Sequence, residues 1–201
     1  MADIDYKPVK EERLFCAQNL YSHINWNDVD EAVRKFDELI TNWYIQPAQC
    51  LQDTHGDYSF GVVAFTCILV DTLSQYYAGS RESSQTRFKQ FLTDHDPDFA
   101  TVLPTAIRYS VRGDEKQATT LADVIYAGFR CGILHEAHVP LYGAIVGHGK
   151  LYEFHHSGYV TYADGTDCPC VVLDPKGIFY SHSHDLYRLH CPASRYVASQ
   201  R

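Results

Sequence analysis

An arginine and a histidine five positions apart are the residues of this sequence best suited to chemistry. They are Arg130 and His135, the two ends of the hexapeptide Arg-Cys-Gly-Ile-Leu-His. A guanidinium can bind an anionic group through two parallel hydrogen bonds, and it stabilises charge that grows in a transition state. An imidazole titrates near neutral pH, which suits a general acid or base. Together the two residue types can hold an anion and move a proton beside it.

The segment that carries this pair, residues 119–138, has the sequence marks of one helix. Thr120 can cap its start, and Asp123 three residues later completes a capping box. At the other end Pro140 disfavours the helical conformation of the residue before it. We therefore expect a single helix that is closed at both ends and carries both residues.

Two glycines interrupt this helix one turn apart. Gly128 and Gly132 each destabilise a helix interior by about 1 kcal/mol relative to alanine, so a close approach of another helix or another subunit is expected there. Positions 130 and 135 are about 140° apart on an ideal helix, so one Arg130–His135 pair is not expected to converge unaided. Two pairs that meet across a two-fold axis would converge, which makes the glycines a candidate dimer seam.

An acidic residue on an apolar helix is the first candidate to support the arginine. Asp71 lies on the same face as the apolar residues Ala64, Cys67 and Ile68, and a carboxylate on a buried face needs a partner. Arg130 is the predicted partner. The pattern fits equally well with an Asp71 that is exposed to solvent at the less buried end of that helix. Glu136 is a second candidate support for the pair.

The periodicity of the remaining chain predicts a mainly α fold. Helices are expected after Asn27 with a break or kink at Pro47, from Ser59 to Gly79, after Ser84, and over residues 98–111, with a loop over 112–117. Beyond Pro140 the pattern changes to short strands at 144–146, 150–154, 159–162 and 170–173, with a turn at Asp164-Gly165 and a helix at 179–189. We predict four to five helices in a bundle over residues 1–140. Residues 141–201 are predicted to form a small antiparallel β appendage and a C-terminal segment, packed on the bundle.

These features resemble the HEPN superfamily, helical-bundle proteins of which many are ribonucleases in toxin–antitoxin, CRISPR and phage-defence systems. The resemblance covers roughly residues 59–175 and rests on the phrase FRCGILHEA, the preceding apolar helix SFGVVAFTCILVDTLSQYYAG, the segment TRFKQFL and an aliphatic-Asp-Pro turn. Its catalytic motif is an arginine followed by a histidine after four to six residues. The resemblance implies an HEPN-like bundle in which Arg130 and His135 are catalytic.

The activity implied by the resemblance is metal-independent cleavage of single-stranded RNA, without a cofactor, at the interface of a homodimer. Arg130 would bind the phosphate and His135 would transfer protons while the ribose 2′-hydroxyl attacks, leaving a 2′,3′-cyclic phosphate. Asp71 and Glu136 would support them, and an antitoxin or regulatory protein is an expected partner. The chain departs from the family pattern at Cys131, where Asn, Asp or His commonly follows the arginine.

Other functions remain open on the sequence alone. A catalytically silent HEPN-like module that dimerises or binds a partner or nucleotide would have the same fold, and Cys131 favours it. The cysteine and histidine residues of the C-terminal part suit a zinc site, but their spacing differs from that of zinc fingers; they are Cys168, Cys170, His182, His184, His190 and Cys191. A nucleophilic Cys131 one turn before His135 lacks an evident third group to orient the histidine.

Composition limits the partners and the compartment. The formal charge of −8 over 201 residues argues against a broad surface for nucleic acid, so any RNA contact is expected to be local. The N-terminus lacks a basic region followed by an apolar core, and the apolar run over 60–70 is shorter than the roughly 20 residues that span a bilayer. A cytoplasmic protein with reduced cysteines and no membrane contact is expected.

Overall fold

The computed structural model describes residues 14–16, 19–20, 24–25, 27–54, 58–79, 84–111, 113–140, 142–147, 149–158 and 161–183. Over these residues the protein is mainly α, with a large apolar core, two β-hairpins and a three-stranded sheet. The first hairpin is short and pairs β1 (Leu14–Cys16) with β2 (Asn19–Leu20).

The first long helix passes through a proline without ending. Helix α1 (Val29–Ile40) continues through a π-helical turn, Thr41–Ile45, into α2 (Gln46–Asp53). Its N-cap is Asp28, whose carboxylate accepts two backbone N–H groups, and not the expected Asn27. The π turn shifts the hydrogen-bond register, so that Pro47 lies in the first turn of α2. A missing N–H removes no helical bond there, which explains why the helix continues.

Helix α3 (Ser59–Tyr77) is the centre of the core and contacts α2, the helices at Gln85–His95 and Pro175–Ser183, and the helical segment that carries Arg130. It ends as predicted, with Gly79 in the left-handed conformation at φ 60°. Among the described residues it is the one helix with the length and composition for a membrane span, at 19 residues and a mean hydropathy of 1.3. Its side chains Val62, Val63 and Cys67 are buried inside the protein.

Helix α4 (Gln85–His95) matches its prediction closely. The Ser84 hydroxyl caps it by accepting the N–H of Arg87. Phe88, Phe91 and Leu92 point inward and are fully buried, as their helical spacing predicted. A 3₁₀ turn, Pro97–Ala100, follows directly.

The helix predicted over 98–111 and the loop over 112–117 are wrong, because residues 102–111 and 114–120 form a β-hairpin. Strand β3 (Val102–Val111) pairs antiparallel with β4 (Asp114–Thr120). The charged run of β4 resembles a loop in sequence because most of that strand faces solvent. Ile107 and Ala118 lie opposite each other and are both fully buried, and they attach the hairpin to the core.

The C-terminal sheet is mixed, so the prediction of an antiparallel appendage is wrong in one pair. Strand β5 (Gly143–Ile145) runs parallel to β7 (Cys170–Leu173), while β6 (Tyr152–His155) pairs with the other side of β7 in antiparallel fashion. All four residues of β7 are buried, and Val171 and Leu173 belong to the same apolar cluster as the helices. The strand is therefore part of the main core.

The last described helix, α7 (Pro175–Ser183), starts four residues before its predicted position. Asp174 is 2% exposed and accepts the N–H groups of Lys176 and Gly177, which defines the helix start. Residues 184–189 of the predicted helix lie outside the described residues. Of the predicted strand at 159–162, residues 159–160 lie outside the described residues. Thr161 forms one bridge to Asp167, and the chain turns between them at Gly165.

An exposed arginine joins the β3–β4 hairpin to this turn. Arg108 donates through Nη2 to Asp164 and to the Thr166 hydroxyl, both at 2.8 Å, and its guanidinium lies 4.1 Å from the centre of the Tyr162 ring. The hydrogen bonds from Thr166 and Arg108 lower the pKa of Asp164. This arginine is engaged in a structural contact on the surface.

Candidate functional site

The helix that carries Arg130 and His135 spans residues 121–136, and we call it the site helix. It consists of α5 (Leu121–Val124), a π-helical turn (Ile125–Arg130) and α6 (Cys131–Glu136). The predicted capping box is confirmed: the Thr120 hydroxyl accepts the Asp123 N–H, and the Asp123 carboxylate accepts the Thr120 N–H. The helix ends at Glu136, two residues earlier than predicted, and Ala137 follows in the left-handed conformation at φ 54°.

The capping carboxylate also ties the site helix to α4. Asp123 Oδ1 accepts a charged hydrogen bond of 2.7 Å from Lys89. Burial acts to raise the pKa of Asp123, but the bonds from Lys89, Thr119 and Thr120 outweigh burial and lower the pKa to about 2. Since the folded-state pKa lies below the ordinary pKa of an aspartate, the ionised form stabilises the folded protein.

We expect Asp123→Asn to lower the free energy of unfolding by about 2 kcal/mol at pH 7. The contribution of Asp123 is complete above about pH 4 and disappears as the pH falls toward 2, so the two proteins should converge there. Urea denaturation between pH 2 and 7 measures this difference. The exposed Asp94→Asn is the matched control, with a change below about 0.5 kcal/mol; a constant Asp123→Asn difference at every pH would contradict the assignment.

Arg130 is held by the carboxylate that the sequence suggested. Its Nη2 donates to Asp71 Oδ2 at 2.9 Å, and the two side chains are 10% and 14% exposed. Burial acts to lower the pKa of Arg130, and the Asp71 carboxylate more than offsets this, so that the pKa is raised. The guanidinium therefore stays charged, in a fixed position between α3 and the site helix.

His135 meets the same guanidinium from the other side. Arg130 Nη1 lies 2.6 Å from His135 Nε2. Arginine has only donors, so the histidine nitrogen must accept, which places the ring proton on Nδ1 and leaves the imidazole neutral in this arrangement. His135 is exposed. The expectation that one pair does not converge is thus wrong, because the long arginine side chain spans the angle between the two positions.

The surroundings of the pair are aromatic and thiol groups. The Arg130 guanidinium carbon lies over the Tyr126 ring, 5.6 Å from its centre. Cys67 of α3 is 1% exposed, and burial raises the pKa of its thiol to about 12 even though the charge of Arg130 acts against this. The Tyr126 ring and the Cys67 thiol therefore form an uncharged surface beside the ion pair of Asp71 and Arg130.

Two of the candidate supporting residues lie differently from their prediction. Glu136 is exposed, and its carboxylate lies 3.3 Å from His138 Nε2 at the end of the site helix. Cys131 is half-buried, and its backbone N–H donates to the Tyr126 carbonyl oxygen. Since His135 Nε2 faces Arg130, this arrangement does not pair Cys131 with His135 as nucleophile and base.

The glycines face the protein's own chain, which corrects the prediction of a dimer seam. A Cβ atom on Gly128 would lie 2.9 Å from Tyr142, and one on Gly132 would lie 2.6 Å from the His138 carbonyl oxygen and 3.0 Å from Pro140. The segment after the helix folds back across both glycines. The close approach was predicted correctly, but its partner is a loop of the same chain and not a second helix or subunit.

The described part of the chain contains no cluster of three or more His, Cys, Asp or Glu side chains placed to hold a metal ion. Of the candidate zinc ligands, Cys168 is buried just before β7, and Cys170 is buried as the first residue of that strand. His184, His190 and Cys191 lie outside the described residues, as does the side chain of His182.

No family model, curated protein or solved structure matches this chain.

The sequence motifs missed two residues of the site, Tyr126 and Cys67. Tyr126 precedes Arg130 by four residues, a spacing that places both on one helix face, and Cys67 precedes Asp71 by the same interval. These spacings were the available signal.

Proposed function

We propose that this protein is a metal-independent endoribonuclease of the HEPN type that cleaves single-stranded RNA. The observation that supports the proposal most is the 2.6 Å contact between Arg130 Nη1 and His135 Nε2. It puts a permanent cation and a proton acceptor within reach of one phosphodiester, and His135 is exposed to an incoming strand.

In the proposed reaction the ribose 2′-oxygen attacks the adjacent phosphorus, and the bond from phosphorus to the 5′-oxygen breaks. The neutral His135 Nε2 takes the 2′-hydroxyl proton, and the His135 imidazolium formed in this way delivers a proton to the leaving 5′-oxygen. The products are a 2′,3′-cyclic phosphate and a free 5′-hydroxyl. Arg130 stabilises the charge that develops on the non-bridging phosphate oxygens, the role that a fixed guanidinium performs best.

Substrate binding must rearrange the resting contacts. Nη1 of Arg130 is directed at His135 and Nη2 at Asp71. A phosphate that enters between Arg130 and His135 takes over the first contact and frees Nε2 for the 2′-hydroxyl. The bond to Asp71 on the far side can remain, which assigns Asp71 to holding the arginine.

A specific observation favours a second function, a catalytically silent module that binds a partner or nucleotide. Arg130 is 9% exposed, and both of its terminal nitrogens are engaged within the protein. In that case the contacts of Arg130 with Asp71 and His135 hold α3 against the site helix, and the protein cleaves no RNA. Absence of RNA hydrolysis between pH 5 and 9 would support this function.

The proposed assembly is a cytoplasmic homodimer that acts with an antitoxin or regulatory protein. Since Gly128 and Gly132 are covered by the chain itself, the proposed dimer contact uses the exposed end of the site helix around His135. The acidic charge of −8 fits a local contact with RNA, confined to the site.

The first test is cleavage of single-stranded RNA in EDTA, with detection of the cyclic phosphate ends. His135→Ala should lower the rate by at least a hundredfold, since general acid–base catalysis contributes about 10²–10⁴. His138→Ala is the matched control, because it removes an exposed histidine three residues away and should cleave as the wild type does. Unchanged cleavage in His135→Ala would exclude this mechanism.

A further inference from the structure

Tyr126 occupies a defined position between the core and the site. Its ring packs edge-on against Phe88 of α4, with ring centres 5.4 Å apart, and Arg130 lies over the ring at 5.6 Å. The side chain is half-buried, so one part reaches the core and another reaches the site.

The π-helical turn changes the position of Tyr126 relative to Cys131. Positions 126 and 131 would be about 140° apart on a regular α-helix, too far for a direct contact. In the π turn the Cys131 N–H donates to the Tyr126 carbonyl oxygen, five residues earlier, which places the two residues one above the other. The wide turn thus aligns Tyr126 with the residues that begin α6.

The contact between Tyr126 and Arg130 differs in kind from the other contacts of the guanidinium. Asp71 and His135 accept N–H donors, which are the groups that a phosphate oxygen would also bind. An aromatic face attracts the cation without accepting these donors. The Tyr126 contact can therefore persist when a phosphate displaces His135.

We propose that Tyr126 is a positioning residue, whose aromatic face holds the Arg130 guanidinium in place while a phosphate binds. This inference rests on the proposed function for the identity of the ligand. The packing against Phe88 fixes the ring, and the π turn supplies the alignment. The aromatic face, and not the hydroxyl, acts on Arg130.

The test compares two substitutions at this position. Tyr126→Phe keeps the aromatic face and loses the hydroxyl, whereas Tyr126→Met keeps much of the bulk without an aromatic face. Tyr126→Met should raise the KM for RNA about fivefold with a smaller change in kcat, the size of a partly exposed cation–π contact. Tyr126→Phe should retain the wild-type KM. Tyr44→Leu is the matched control, since Tyr44 is a half-buried tyrosine in the other π turn.

A measurement that needs no RNA separates this inference from the proposed function. The guanidinium Nε–H signal of Arg130 in the NMR spectrum should broaden in Tyr126→Met and stay sharp in Tyr126→Phe and Tyr44→Leu. Thermal denaturation establishes that each variant is folded. If Tyr126→Met does not fold, Tyr126→Leu is used in its place. A wild-type protein that cleaves no RNA but shows this dependence would refute only the proposed function. An unchanged Arg130 signal in a folded variant without the ring, or equal broadening in Tyr126→Phe, would overturn the positioning role.

Discussion

Replacement of Arg130 by alanine should lower the rate of RNA cleavage by about three orders of magnitude, the usual effect of removing a transition-state electrostatic contact. The guanidinium is the permanent cation next to His135, and it is already fixed by Asp71 at 2.9 Å. A preorganised charge contributes more to the transition state than a mobile one, because it needs no reorientation during the reaction. The measurement is kcat/KM for single-stranded RNA in EDTA.

Stability must be measured beside the rate, because Arg130→Ala leaves the Asp71 carboxylate without its cation. Breaking a buried ion pair in this way destabilises a protein by about 3–5 kcal/mol; at 10% and 14% exposure we expect a value near the lower end. Arg130→Lys keeps a charge near Asp71 but loses the planar geometry, so it should retain more stability than activity.

Arg108→Ala is the control for the removal of an arginine. This residue is exposed and holds a surface turn through Asp164, so its loss should leave cleavage unchanged. Cleavage at the wild-type rate in a folded Arg130→Ala protein would contradict the catalytic role of Arg130. Equal losses of cleavage in Arg130→Ala and Arg108→Ala would mean that the effect comes from removing a positive charge and not from the position of Arg130.

Gly132→Ala should destabilise the protein by about 2–4 kcal/mol, although alanine is the better helix former by about 1 kcal/mol. The added Cβ would lie 2.6 Å from the backbone oxygen of His138, a group that cannot move aside as a flexible side chain can. The segment after the site helix would have to separate from it. Urea denaturation gives the change in unfolding free energy.

The control for this substitution is Gly147→Ala, since a Cβ there meets no atom within 4 Å. Sedimentation at several protein concentrations distinguishes an effect on the fold from an effect on association. If Gly132→Ala retains wild-type stability but shifts a dimer toward monomer, the covered-glycine interpretation fails and a dimer seam at Gly132 is supported.

Features controlled by neighbouring residues were predictable from the sequence. The Thr120–Asp123 capping box, the Ser84 cap and the inward face of α4 follow from local chemistry, and all are present. The Asp71–Arg130 pair was predictable for a different reason. A carboxylate on an apolar helix face requires a cation, and the site helix offered a suitable one.

Features set by tertiary contacts were not predictable in this way. The charged strand β4 has no apolar alternation, and it is a strand only because β3 pairs with it. The parallel pairing of β5 with β7 depends on a connection of more than twenty residues that has no local signal. The π turn was also missed, since its register differs from an α-helix by one hydrogen bond that no residue type marks.

The Asp71–Arg130 contact joins residues 59 positions apart. Arg130 and His135 are close in sequence, but the carboxylate that orients the arginine comes from α3, which must first fold and pack against the site helix. Closing a chain segment of that length has an entropic cost that local helix formation cannot offset. A peptide of residues 121–136 would thus contain both residues without their arrangement. The reactive pair is a property of the finished tertiary structure, and the chain acquires it only on completing its fold.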